Sequence, residues 1–199
     1  MLKPSLVVAL LCVCLVAGVG AAKLKVQAQP DPNFDFATVH TWAWDADAGQ
    51  VIMALTQKDD PAPIKAQIDP MIRKFVEAAM VAKGLKVATT GTPDVQLHYY
   101  VLVTVNSSSQ YMGQFLPSVV YWGLPPFSAG ATTSLDVVTK GSLVLDAMLP
   151  GAPDSRKVVW RGIAQSTVDQ AATDAERSSR IQNASNELIK RFPLTKKKK

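Results

Sequence analysis

The sequence predicts an α+β fold: a single two-layer domain in which an antiparallel β-sheet of about four to six strands packs against two helices. Three observations carry this. Several stretches alternate apolar and polar residues at period two, two others repeat their apolar residues at three- and four-residue spacings, and the long alternating stretches follow one another through turn-rich connections. The 199 residues suffice for one domain with a real core. A composition of 48% hydrophobic and 19% charged residues excludes wholesale disorder and collagen-like or low-complexity architectures.

Residues 1–22 read as a secretory signal peptide that precedes the domain. Lys3 supplies the positive start, Leu6 to Val19 the apolar run, and Gly20-Ala21-Ala22 the small residues of a cleavage site. The run is short for a membrane span, which needs roughly 20 apolar residues. Cleavage after Ala22 takes 22 of the 199 residues and leaves 177. Both cysteines, Cys12 and Cys14, go with the leader, and disulfides, thiolate catalysis and cysteine metal sites go with them. Neither cysteine follows the small residues of a bacterial lipobox. The expectation is therefore export to the periplasm or cell envelope.

Lys23 to Gln29 alternates as a half-buried strand that Pro30 and Pro32 end. Thr38 to Trp44 is β-branched and aromatic, a second short strand. Asp45 to Pro63 carries Gly49 and the Asp59-Asp60-Pro61-Ala62-Pro63 breakers and reads as largely loop. A helix follows, with Asp69 as its cap and Pro70 at its first position. Ile68, Ile72, Phe75 and Ala79, with Met71, Val76 and Met80, recur at three- and four-residue spacings along its apolar side, and Lys83 and Gly84 close it. Leu85 to Thr89 is a short strand. From Asp94 to Val105 the alternation is nearly strict and predicts one buried face and one wetter face carrying His98 and Tyr100.

Ser134 to Leu149 and Lys157 to Asp169 read as two strands of a hairpin turned at residues 150–155. Val158, Trp160, Gly162 and Ala164 share one face and Arg161 lies on the other. A second helix runs from about Ala172 to Phe192 with Ile181, Ala184, Leu188, Ile189 and Phe192 as its stripe, and Pro193 stops it. The domain therefore spans residues 23–193, and residues 194–199 are a basic tail.

Charge reinforces that division. Without Lys3 the chain has 20 basic and 16 acidic residues, and four of the basic ones are Lys196, Lys197, Lys198 and Lys199. The body is neutral, which gives no nucleic-acid footprint. The lysine tail fits weak contact with an anionic membrane surface.

Residues 106–133 break the pattern. They hold Tyr111, Phe115, Tyr121, Trp122 and Phe127 with Pro117, Pro125 and Pro126 and no period. So apolar and long a connection either completes the core or presents a surface to an envelope protein partner, and those five aromatics are its anchors.

Asp35-Phe36, His40-Thr41-Trp42-Ala43-Trp44, Ala82-Lys83-Gly84-Leu85, Pro93-Asp94-Val95, Tyr121-Trp122-Gly123, Gly141 to Asp146 and Val159-Trp160-Arg161-Gly162 together resemble, in order and spacing, the domain of unknown function 4136 family. The resemblance spans roughly Lys23 to Pro193. It implies a bacterial envelope protein, often a lipoprotein, of unassigned activity, and it supplies no catalytic residues. The chain departs from the lipoprotein members in lacking a lipobox, and its aromatic loop is poorer in glycine.

No constellation carries recognisable chemistry. His40 and His98 lie on separate strands with no second ligand nearby. Ser107-Ser108-Ser109 has no nucleophile elbow. Asp59, Asp60 and Asp69 read as loop and cap residues. No phosphate loop or dinucleotide fingerprint is present, and no catalytic, metal or cofactor residues are assigned. Trp42, Trp44, Trp122 and Trp160 could stack on a ligand but fit core packing better. The reading is a non-enzymatic binding or interaction module of the envelope. The alternatives are a small-ligand carrier, which an apolar cavity of several hundred Å3 would favour, and a hydrolase with an unrecognised site.

Overall fold

The computed structural model describes residues 23–54, 60–105, 139–151, 156–169 and 171–194. Seven strands, β1 (Lys25–Pro30), β2 (Thr41–Trp44), β3 (Gln50–Ala54), β4 (Lys86–Val87), β5 (Val95–Val105), β6 (Thr139–Met148) and β7 (Val158–Thr167), form one sheet. Two α-helices, α1 (Ala62–Ala82) and α2 (Asp174–Lys190), accompany it among the described residues. The strand order is β1-β7-β6-β5-β2-β4, with β3 also paired to β5. The α+β class is as expected; the sheet itself is mixed and larger than expected.

The long strands β5, β6 and β7, together with β1, are antiparallel. β2 and β3 run parallel to β5 and occupy the same edge of it in tandem: Trp42–Trp44 opposite Val95–Leu97, then Gln50–Ala54 opposite Tyr100–Thr104. α1 is the crossover that parallel pairing requires between β3 and β5. The sequence reading made residues 45–63 a loop because β3 has five residues, too few to display a period beside its prolines.

α1 begins seven residues before the expected cap. Pro61 is the cap residue and makes no side-chain bond; Asp60 Oδ1, one residue earlier, accepts from the Ala62 N–H at 2.9 Å. Pro70 lies inside the helix, where it removes a backbone donor. Burial of Ile68, Ile72, Val76 and Met80 on one stripe outweighs that loss. Gly84 adopts φ +93° just past the helix, the left-handed closure that glycine allows. Thr173 and Glu176 form a reciprocal capping box at the start of α2.

Lys83 Nζ donates to the Ile189 and Lys190 carbonyls at 2.6 and 2.9 Å, and Gln67 Nε2 donates to Asp174 at 2.7 Å. The helices thus lie side by side with their starts together and their ends together. Both cover one face of the sheet.

The main core lies between the layers, with Trp42, Leu97, Tyr99, Leu145, Trp160 and Leu188 buried in it. Trp160 meets Phe192 edge-on at 5.1 Å between ring centroids. Its ring lies over Gly162, where an added Cβ would come within 2.8 Å of the indole and 2.9 Å of Leu188. A register shift between β6 and β7 pairs Ala147 with Trp160 and Met148 with Val158. That bulge corrects the expectation that Val158 shares the Trp160 face: Val159 and Trp160 both join the helix-side core, and Val158 pairs with Met148 instead.

The other face is not the wetter surface that alternation suggested. Tyr100, Leu102, Val144 and Ile163 form a second buried cluster there, and His98, Ser142, Asp146 and Arg161 are buried as well.

Candidate binding cavity

Space between sheet and helices is filled unevenly. Along the helix-facing side of β7 the large Trp160 is followed by the small Gly162 and Ala164. At the large end, Trp160, Leu188 and Phe192 occupy the interlayer. At the small end, Ala164, Gly141 and Ala184 face the helices or the sheet, and a cavity of about 540 Å3 opens among them.

Its floor is Val101 and Val103 of β5, Leu143 of β6 and Met53 of β3. Its roof is Ile64, Ile68 and Ile72 of α1 with Ile181 of α2, and Leu24 closes one side. The size lies within the range of small-molecule sites, roughly 300–1,000 Å3, and apolar walls with a few polar groups are their usual make-up.

One end is polar and reaches solvent. Gln67, Asp169 and Asn183 there are exposed. Arg177 donates from Nη1 to Asp174 at 2.8 Å and from Nη2 to the Ala172 carbonyl at 3.3 Å. Arg180 faces Asp169 at 3.6 Å, beyond hydrogen-bond distance. Asp169 Oδ1 accepts from the Ala171 N–H at 3.0 Å, so that carboxylate already serves its own turn. Asp169, Arg177 and Arg180 are the only charged residues among the described lining.

Sequence reasoning missed this site because a cavity is made by what is small. The available signal was Gly141, Ala164 and Ala184 at helix- or sheet-facing positions where a filled core places leucine or isoleucine.

The residues singled out from sequence are placed as follows. Tyr111, Phe115, Tyr121, Trp122 and Phe127 lie outside the described residues, as do Asp59, Ser107-Ser108-Ser109 and Lys196 to Lys199. His40 is exposed. His98 is buried, against its reading as a surface histidine, and its Nδ1 lies 3.2 Å from Asp45 Oδ2. Asp45 also receives Arg156.

Neighbouring Asp146 and Arg161 sit directly opposite across β6 and β7 and are joined by two bonds of 2.6 and 2.5 Å. Burial works against the Arg161 charge, yet the Asp146 carboxylate holds that guanidinium above its ordinary range. Burial, seconded by Asp146, pushes the Tyr100 phenol up to about 12. Among the described residues no three histidine, cysteine or carboxylate groups gather as a metal site.

Asp69 is no helix cap. It accepts from the Tyr99 hydroxyl at 2.5 Å and from Arg73 Nε at 3.0 Å, and burial followed by that Asp69 bond pushes the Tyr99 phenol up. Arg73 also donates to the Ala48 carbonyl at 2.8 Å and stands 5.0 Å over the Trp44 ring. Trp42 and Trp160 are fully buried, which fits packing rather than ligand stacking. Asp94 pins the start of β5 to β2: its Oδ2 accepts from the His40 and Thr41 N–H groups at 2.9 and 2.8 Å and from the Thr41 hydroxyl at 2.9 Å.

Fold and site together define a two-layer α+β domain with a mixed sheet and an apolar cavity between its layers. The model of one protein family, the domain of unknown function DUF4136, matches residues 26–194, and the chain belongs to that family. No curated protein matches the chain.

Among solved structures, a DUF4136 family protein from Bacteroides thetaiotaomicron is 18% identical, with a TM-score of 0.48, over 87% of this chain and 98% of its own. A PelC dodecamer from Paraburkholderia phytofirmans is 11% identical, with a TM-score of 0.35, over 82% of this chain and 98% of its own. A PDZ domain protein from Parabacteroides distasonis is 11% identical, with a TM-score of 0.48, over 90% of this chain and 39% of its own.

Proposed function

We propose that this protein is exported to the cell envelope, where it binds a small apolar molecule between its sheet and its helices. The cavity of about 540 Å3 carries the reading. Its walls are mainly apolar, and covering apolar surface that water otherwise touches favours an apolar occupant by roughly 25 cal/mol per Å2. The exposed polar end supplies a route for one. A nucleophile paired to a base is not found among the described lining residues, so the reading is binding without turnover. Export rests on the leader-like residues 1–22; among the described residues no helix is long and apolar enough to cross a membrane.

The test is to fill the cavity. Ala164→Leu on the mature chain is expected to raise the melting temperature, because it adds side chain where there is room. It is also expected to abolish the rise that 1-dodecanol produces in the wild type. A lowered melting temperature for the variant, with no dodecanol effect on the wild type, refutes the reading. Export is checked by N-terminal sequencing of the protein from the periplasmic fraction, which is expected to begin near Lys23.

A further inference from the structure

We infer that the cavity takes a single-chain amphiphile with an anionic head, its chain lying among Leu143, Ile68 and Ile181 and its head held by Arg180 at the polar end. This rests on the cavity's being a binding site and adds the class of ligand. The apolar walls select an alkyl chain, and the choice of head follows from the charges at the opening.

Only three charged side chains line the cavity among the described residues: Asp169, Arg177 and Arg180. Asp169 is engaged by the Ala171 N–H. Arg177 is engaged by Asp174 and by the Ala172 carbonyl. Arg180 has its nearest described carboxylate at 3.6 Å, and both members of that pair are well exposed, at 39% and 53%. A loose exposed pair of this kind is worth little, so Arg180 can turn to a ligand at small cost. A guanidinium matches a carboxylate or phosphate with two parallel hydrogen bonds. It repels a cationic head and makes only a neutral bond to an alcohol.

Arg180, Ile181 and Ala184 lie within four residues of one another on α2 and all line the cavity. One helix side therefore presents the charge at the opening and the apolar wall within. A chain seated against Ile181 and Ala184 brings its head group to the Arg180 side of the helix.

The experiment compares dodecanoate and 1-dodecanol, each below its aggregation concentration, by calorimetric titration of the mature full chain. Wild type is expected to bind dodecanoate about tenfold more tightly, a difference of about 1.4 kcal/mol. Arg180→Gln is expected to remove that preference by weakening dodecanoate about tenfold and dodecanol far less. Arg180 is partly exposed, so the variant is expected to fold, and its unshifted melting temperature in the absence of ligand confirms it. Dodecyl phosphate in place of dodecanoate separates the two head chemistries, and tighter binding of either acid than of the alcohol supports the inference. Equal affinity for acids and alcohol in wild type overturns the head-group assignment while leaving the cavity reading intact. So does a preference that survives in Arg180→Gln. Binding of none of the three probes overturns both.

Discussion

Replacing Arg161 by methionine removes one member of an ion pair enclosed on the second face of the sheet. Arg161 is 3% exposed and Asp146 1%, so water screens neither charge. Two bonds of 2.5 and 2.6 Å are lost, each worth about 1.5–3 kcal/mol because it joins charged groups. The carboxylate left behind is buried without its counter-charge. Together these give about 3–5 kcal/mol of destabilisation. With a urea slope of about 2 kcal/mol per M, the unfolding midpoint is expected to fall by about 1.5–2.5 M. Asp146→Leu alone is expected to cost a similar amount, since it strands the guanidinium instead. The double variant Asp146→Leu/Arg161→Met leaves no charge behind, and its stability is expected to return to within about 1 kcal/mol of wild type, as buried pairs exchanged for apolar residues often do. Urea titrations followed by circular dichroism measure all four proteins. If the two single losses simply add in the double variant, the charges are not coupled and the reasoning fails.

Two other positions give sharp expectations. Gly162→Ala places a methyl group under the Trp160 indole and against Leu188, so a loss of about 1–3 kcal/mol is expected. It is read as a drop in melting temperature of about 2–4 °C per kcal/mol, and an unchanged value would show that the indole stands elsewhere. The second expectation concerns acid. The His40 and Thr41 N–H groups and the Thr41 hydroxyl hold the Asp94 carboxyl below the usual carboxylate range, so it binds a proton less readily folded than unfolded. Its contribution is therefore full above the unfolded value, near pH 4, and is lost as pH falls toward the lower folded value. Asp94→Asn is expected to flatten the acid side of the profile of melting temperature against pH below about pH 4. A profile that keeps the wild-type slope there would assign the acid sensitivity to other carboxyls. Asp31 is one: burial raises it, but the Lys157 and Asn33 contacts bring it lower overall.

Legibility in the sequence followed element length. The strand β5 alternates over most of its 11 residues, β6 and β7 are ten-residue runs on either side of a turn, and both helices display an apolar stripe, so their existence and order could be read directly. β3 and β4 have five and two residues and show no period, so the parallel edge of the sheet went unread. The meaning of polarity was also hidden. His98, Asp146 and Arg161 occupy the positions that alternation assigns to water, and only tertiary partners explain their burial: Asp45, itself paired with Arg156, meets His98, and Asp146 is brought opposite Arg161 by a register no local pattern reveals. The bulge at Val159 is invisible for the same reason. The cavity was least legible, since Gly141, Ala164 and Ala184 belong to three different elements.

The division of the interlayer space also says how an occupant could enter without unfolding the domain. The ends of α1 and α2 are fastened. Lys83 reaches across to the last carbonyls of α2, an arrangement favoured by the negative end of the helix dipole. Phe192 packs edge-on against both Trp160 and Phe36, at 5.1 and 5.7 Å. At the opposite end the helices are tied by the exposed hydrogen bond from Gln67 to Asp174, and the walls there are the small residues and isoleucines of the cavity. Local opening draws on the regions with the fewest buried contacts, so an occupant of the proposed site is expected to enter at the exposed polar end and not between Trp160 and Phe192. The large side chains and the cavity thus sit at opposite ends of one layer. Stability is concentrated where Trp160 and Phe192 meet, and room for a ligand is left where Ala164 faces α2.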